Sequence, residues 1–217
     1  MKRVLVRGPL LTQSGYAVHA RQIFRWAASK NNFNVSCECL NWGSTPWISN
    51  PDLLNGIIGE IMKRTVDVKN NNNYDISLQI QLPTEWDNSL ARYNIGITAG
   101  VETDICNPSW IDGINKMQLV IVPSKHTKET FEKTARQINK QITTKIEIVP
   151  ESFPDEILKN DGKFLDVNFE TDYNFLIVSQ LTGDNPFNDR KNTFFAVKWL
   201  CELFKDDKDV GIILKTN

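Results

Sequence analysis

Three separated stretches carry residue types able to handle a phosphate or a sugar hydroxyl. The first is Arg7-Gly8-Pro9-Leu10-Leu11-Thr12-Gln13-Ser14-Gly15-Tyr16. Gly8 and Gly15 permit backbone conformations that a side chain would forbid, and a loop ending at a helix N-terminus offers N–H groups to an anion. The same stretch also reads as a plain turn and helix cap. Its spacing is neither Gly-x-Gly-x-x-Gly nor the Gly-Lys-Ser/Thr ending of a P-loop, so neither a dinucleotide fingerprint nor a nucleoside triphosphatase is supported. The second is Thr98-Ala99-Gly100-Val101-Glu102-Thr103-Asp104, just past a strand end. Its two carboxylates suit hydrogen bonds to sugar hydroxyls or the work of a base, with Ala99 and Gly100 leaving room for a substrate. Alternatively, Glu102 or Asp104 caps the helix that follows.

The third stretch runs from Ser179 to Asn192 and holds Arg190 and Lys191 at a helix start. Cations there oppose the macrodipole, so an anionic ligand would relieve the conflict and the pair reads as a diphosphate clamp. The competing reading is a solvated charge pair offset by Asp184 and Asp189. His19 and His126 are the only histidines, without Cys or carboxylate at metal-ligand spacing, so no metal site is expected. His19, one turn into the helix behind the glycine loop, either reaches a ligand or makes a structural hydrogen bond; His126 reads as surface. No nucleophile elbow is present.

Apolar periodicity alternates between short runs and helical spacing, which predicts an α/β protein around a mainly parallel sheet. Val4-Leu5-Val6 reads as the first strand, and Ala17, Ala20, Phe24 and Ala27 as the buried stripe of the next helix. Phe33 to Cys39 alternates as a strand. A helix is expected behind Asn50 and Pro51, with Leu53, Leu54, Ile57, Ile58, Ile61 and Met62 inward. Asn70 to Asn73 ends that region. Tyr74 to Leu82 alternates strictly, so its second face is expected to be partly polar or beside a cleft. Further strands fall at 94–98, 119–122 and 145–149, with helices carrying Trp110 and Phe131 between them. Residues 1–150 form the first domain, 151–172 an inter-domain connection rich in Pro, Asp, Lys and Asn, and 173–217 the start of a second domain. In the last, Phe194, Val197, Cys201 and Phe204 are expected to be a buried helical stripe.

The chain has 217 residues with 25 Lys plus Arg against 26 Asp plus Glu and 41% hydrophobic residues. That composition excludes disorder, collagen and coiled coil, and the near-neutral charge argues against a nucleic-acid backbone binder. No apolar run has the length of a membrane span. The start resembles a signal peptide, but Arg7 and Gly8-Pro9 stop the apolar run, so it reads as a buried strand. Four cysteines without a Cys-x-x-Cys pair fit unpaired thiols in a cytoplasmic chain.

Together these segments resemble the GT-B glycosyltransferases, specifically the large retaining nucleotide-sugar-dependent family four (glycosyl transferases group 1). The resemblance rests on Gly8-Pro9 with Ser14-Gly15-Tyr16-Ala17-Val18-His19-Ala20-Arg21, on Thr98 to Asp104, on Val122-Pro123-Ser124, and on Asp189-Arg190-Lys191-Asn192, in that order over nearly the whole chain. It implies two facing Rossmann-like domains, acceptor mainly on the first and sugar nucleotide mainly on the second. Ser14, Gly15, Arg190 and Lys191 would hold the donor diphosphate, Glu102 and Asp104 would be the catalytic-site carboxylates without a nucleophile role, and His19 and Thr103 would lie on the acceptor side. The leaving phosphate would assist as base.

An Arg that commonly follows the first strand of the second domain is replaced here by Ser179 and Gln180. The resemblance would place the family's paired glutamates, which hold the donor, downstream of Asn217, so the expectation is an acceptor domain with the opening βαβ unit of the donor domain and weak or absent turnover. The implied co-substrate is a nucleotide-diphosphate sugar, with no cofactor, no metal and no nucleic-acid partner. The implied acceptor is a glycan, lipid or polysaccharide precursor, and the implied location is cytoplasmic or peripheral to the inner face of the membrane. The alternative is a non-catalytic carbohydrate- or protein-binding module on the same scaffold, with Trp42, Trp47 and Trp86 in loop-like segments suited to stacking on sugars.

Overall fold

A computed structural model describes residues 1–68, 73–153, 158, 167–181 and 185–216. Parts of the Asn70 to Asn73 tract and of the 151–172 connection, together with Thr182, Gly183 and Asp184, lie outside them. The chain forms two compact units, Met1–Lys159 and Asn160–Asn217.

The first unit is built on six parallel strands: β1 (Lys2–Gly8), β2 (Phe33–Cys39), β3 (Tyr74–Ile80), β4 (Ala91–Ile97), β5 (Leu119–Val122) and β6 (Ile146–Ile148), in the order β2-β1-β3-β4-β5-β6. The chain steps outward from β1 to β2, returns past β1 to β3, and continues to β6. Its direction therefore reverses between β1 and β3. Val4, Leu5 and Val6 are fully buried, as expected of a central parallel strand covered on both faces. Helix α1 (Gly15–Ala28) presents Ala17, Ala20, Phe24 and Ala27 to the sheet. Small residues bring it close, and Gly8 lets β1 approach β3: a Cβ at Gly8 would lie 2.8 Å from the Ile80 carbonyl oxygen. α1 and α2 (Ile57–Lys63) share one apolar cluster with Val4, Val6 and Cys37. α3 (Ser109–Asn115) and α4 (Lys125–Gln137) share another with Val120, Val122 and Ile146 on the opposite face.

Two details differ from the sequence reading and a third refines it. The helix expected from Pro51 onward begins only at Ile57, because Leu54, Asn55 and Gly56 have positive φ values of 54°, 57° and 80° that no right-handed helix accommodates. Asn50 Oδ1 instead accepts a hydrogen bond from Asp52 N, and Leu53 and Leu54 are exposed. The second face of β3 is polar, as its alternation implies, and it is interior: Ser77 and Gln79 are fully buried, the Gln79 side chain donating to the Asp87 carbonyl at 2.6 Å and accepting from Asp87 N at 2.8 Å. Trp86 is likewise a core residue, its ring lying where a Cβ at Gly96 would be.

The second unit pairs β7 (Tyr173–Val178) with β8 (Val210–Lys215) in parallel, and α5 (Thr193–Leu203) crosses between them. Phe204 packs on Phe175 with ring centroids 5.2 Å apart. The inward face is turned by about one residue from the expected stripe: Thr193 is buried, Val197, Leu200 and Phe204 are half-buried, and Phe194 and Cys201 are exposed. No helix among the described residues is long and apolar enough to cross a membrane.

Candidate functional site

All six strands of the first unit end at one edge, and the loops that leave it hold most of the residues singled out above. Ser14 caps α1, its Oγ accepting from Ala17 N at 3.1 Å and sharing a 3.0 Å hydrogen bond with Thr12 Oγ1. Gly15 has no positive φ, and a Cβ there would meet nothing within 4 Å. Neither glycine of the loop is therefore required by an unusual conformation. Gly8 answers strand packing, and Gly15 leaves open space over a helix start whose first N–H groups lack helical partners.

The loop is held from within by Arg21, which is 8% exposed and whose Nη1 donates to the carbonyls of Leu10 at 2.9 Å and Thr12 at 3.0 Å. Burial lowers its pKa. From outside, Gln13 N donates to Pro46 O and Ile48 N to Leu11 O, so the segment after β2 lies on the loop. It brings Trp42 onto Tyr16 as a stacked pair 4.2 Å apart and leaves Trp47 45% exposed, its indole N–H donating to Asn41 Oδ1.

Two contacts close this edge. Tyr16 Oη shares a 2.9 Å hydrogen bond with Thr98 Oγ1 and accepts from Ala99 N at 3.2 Å, and burial is the first cause that raises its pKa. One turn on, His19 Nδ1 lies 2.9 Å from Glu151 Oε1, and Ser152 donates to Gln22 Oε1. The chain leaving β6 thus crosses back to α1. The hydrogen bond from His19 holds the Glu151 carboxyl below its ordinary range.

The stretch after β4 then leaves the edge. Gly100 has a φ of 83°, and a side chain on it would strike Thr127. From there the chain descends along α4, pegged at successive turns: Thr127 Oγ1 donates to Ala99 O, Thr130 Oγ1 to Thr103 O, and Cys106 N to Thr134 Oγ1. Asp104 pairs with Lys133, six residues and so about 9 Å along α4 from Thr127. That pairing holds the Asp104 carboxyl below its ordinary range. Glu102, Thr103 and Asp104 are exposed. None caps α3, where Asn107 Oδ1 accepts from Ser109 N. The structure therefore brings Ser14, Gly15, His19, Thr98 and Ala99 together and carries Asp104 down the outer surface.

In the second unit, Arg190 and Lys191 are exposed in the turn before α5. Between them and the helix start sits the buried carboxylate of Asp189, with Oδ1 accepting from Lys191 N at 3.1 Å and Oδ2 from Thr193 N at 2.7 Å. The positive end of α5 is thus already met by an internal anion. Thr193 Oγ1 also shares a 2.6 Å hydrogen bond with Ser179 Oγ at the end of β7.

Sequence reasoning gave no role to Arg21, Tyr16 or Glu151. A signal existed for Arg21, a cation on the inward stripe of α1 between Ala17 and Phe24. None existed for Glu151. Among the described residues no group of three or more His, Cys, Asp or Glu side chains is placed to hold a metal ion.

The fold is Rossmann-like α/β, and sheets of this kind take ligands outside the carboxyl ends of the strands where the strand order reverses. Gly8 to Tyr16 occupy that position. No protein-family model matches the chain, and no curated protein matches it significantly.

Proposed function

We infer that this chain is a glycosyltransferase or a piece of one, whose whole enzyme takes a sugar from a nucleotide-diphosphate donor to a glycan, lipid or polysaccharide-precursor hydroxyl. The observation that carries this reading is the hydrogen-bonded edge at the strand-order reversal, where an open helix start at Ser14 and Gly15 lies beside Tyr16, Thr98, Ala99 and the His19–Glu151 pair. Amide donors suit an anion, and hydroxyl, imidazole and carboxylate groups suit a polyol. On this reading Arg190 and Lys191 are the anion-binding residues of the second unit.

Calorimetric titration of the full-length protein with uridine and guanosine diphosphates and their sugar conjugates tests it. Saturable binding that Lys191→Ala weakens by about tenfold supports the reading. Indifference of the full-length protein to every nucleotide sugar overturns it.

A second reading is favoured by Trp47, whose half-exposed indole is oriented by Asn41. A glycan-binding module without transfer activity would use that ring as a stacking surface. Oligosaccharide binding that is lost in Trp47→Ala and unaffected by nucleotides favours this alternative.

A further inference from the structure

Strand β6 lies at one edge of the six-stranded sheet. Lys145 O accepts from Val120 N and Val149 N donates to Val122 O, so the odd-numbered residues here turn their backbone groups to β5 and the even-numbered ones turn theirs outward. Ile146 and Ile148 accordingly present N–H and C=O groups for which no hydrogen bond is found among the described residues. An edge of this kind is a template for a further strand. Beside it, within the first unit, runs a groove of about 520 Å³ between β6 and α4. The buried Ala135 and Ile146 line it with the half-buried Ile142, all three part of the apolar cluster shared by α3 and α4.

Charge around the groove is unbalanced. Four cations, Lys128, Arg136, Lys140 and Lys145, line it against two carboxylates, Glu132 and Glu147. Lys140 pairs with Asp112 at 2.6 Å and Lys145 with Glu147, whereas the side chains of Lys128 and Arg136 make no hydrogen bond or ion pair among the described residues. The acid that Lys128 faces is Glu147, already taken by Lys145. Lys128 and Arg136 both stand on α4, eight residues and so about 12 Å apart along the helix. The first and fifth residues of an extended chain are about 13 Å apart and point to the same face. Carboxylates at those two positions therefore reach both cations at once. The third residue falls midway, opposite Glu132, which repels an acid there, while Ala135 and Ile146 favour an aliphatic side chain.

We propose that β6 and α4 form a docking groove for an extended acidic segment of a partner protein. The segment adds a strand to the sheet at Ile146 and Ile148 and presents the pattern acid-x-aliphatic-x-acid to α4. Two features select this occupant together. Unpaired backbone groups along a sheet edge are met by an extended chain, not by a helix or a small anion. The two uncommitted cations are met by carboxylates at the spacing that such a chain provides. Docking there does not depend on sugar transfer.

The test titrates the protein into a fluorescently labelled peptide, Thr-Asp-Thr-Val-Thr-Asp-Thr, at low salt, reading anisotropy and then amide hydrogen exchange. Saturable binding is expected, weakened about fivefold in Lys128→Ala and in Arg136→Ala and about tenfold or more when both aspartates of the peptide become asparagine. Bound peptide should slow exchange at the Ile146 and Ile148 amides, which a purely electrostatic contact leaves unchanged. The double variant Lys128→Glu, Arg136→Glu should lose this peptide and bind its lysine counterpart, Thr-Lys-Thr-Val-Thr-Lys-Thr. Absence of binding at millimolar peptide, equal binding of a peptide whose aspartates are adjacent, or unaltered exchange at Ile146 and Ile148 overturns the groove. Displacement of the peptide by phosphatidylglycerol vesicles, whose own binding the double variant abolishes, would reassign the cations to a lipid surface and overturns it too. So does a dimer in light scattering that the peptide dissociates, since the edge would then belong to a second copy of the chain.

Discussion

Tyr16 Oη lies 2.9 Å from Thr98 Oγ1, a bond that ties the first turn of α1 to the exit of β4 across the intervening strand β3. The stacked Trp42 holds the other side of the Tyr16 ring. Tyr16→Phe keeps the stack and removes the hydroxyl, which takes away the partner of the Ala99 amide and leaves the Thr98 hydroxyl with the longer contact from the Gly100 amide. The expected cost is about 0.5–1.5 kcal/mol in urea unfolding, with faster hydrogen exchange at Ala99. An unchanged Ala99 amide would show that the bond does not organise that loop.

The two glycines of the first loop should separate cleanly. Gly8→Ala forces a Cβ to within 2.8 Å of the Ile80 carbonyl oxygen and is expected to destabilise by about 1–3 kcal/mol. Gly15→Ala meets open space and should leave the melting temperature equal or slightly raised, since alanine restricts the unfolded chain. If an anion docks on this helix start, Gly15→Ala will weaken its binding without any loss of stability.

Asp189 is predicted to matter more to the second unit than either neighbouring cation. Its buried carboxylate accepts from two backbone amides at the start of α5, and Asp189→Ala should cost about 0.5–2 kcal/mol with loss of amide protection at Thr193. Asp189→Asn retains an acceptor and should recover part of that loss. Equal behaviour of the two variants would show that the capping acceptor is not what the helix start requires.

Glu151 gives a pH dependence of known sign. Its carboxyl is held below the ordinary range in the folded chain by the His19 hydrogen bond, so the contribution is complete above the unfolded-state carboxylate pKa of about 4.3 and is lost as pH falls through the folded value. Melting temperature should therefore fall less steeply on the acid side in Glu151→Gln than in wild type. A steeper acid limb in the variant would contradict the assignment.

The thiols should react in a graded order. Burial pushes the Cys37, Cys39 and Cys106 thiols up, and Cys37 is fully buried, whereas Cys201 is exposed. Native protein treated with a disulfide reagent should lose one thiol quickly, Cys201, with Cys39 next and Cys37 and Cys106 only on unfolding. Rapid modification of Cys37 would mean that the β2 edge opens readily.

Local pattern determined much of this protein. Val4-Leu5-Val6, the alanine stripe of α1 and the turn-and-cap reading of the loop through Ser14 were legible because periodicity and capping act within a few residues of one another. The same locality limited the reading. The run from Pro51 has helical spacing, yet its backbone turns left-handed at Leu54, Asn55 and Gly56, and apolar spacing carries no record of φ. Only the tertiary structure decided which polar groups are interior. Gln79 is buried because the Asp87 backbone satisfies its amide, and Arg21 because two loop carbonyls receive its guanidinium. It also decided which candidates share a site. Ser152 meets Gln22 across 130 positions and Glu151 meets His19 beside it, while Asp104, only six residues past Thr98, is carried down α4 by threonine hydroxyls. Side chains distant in the chain are brought together by the course of the backbone over the sheet edge, a property that no short window of residues encodes.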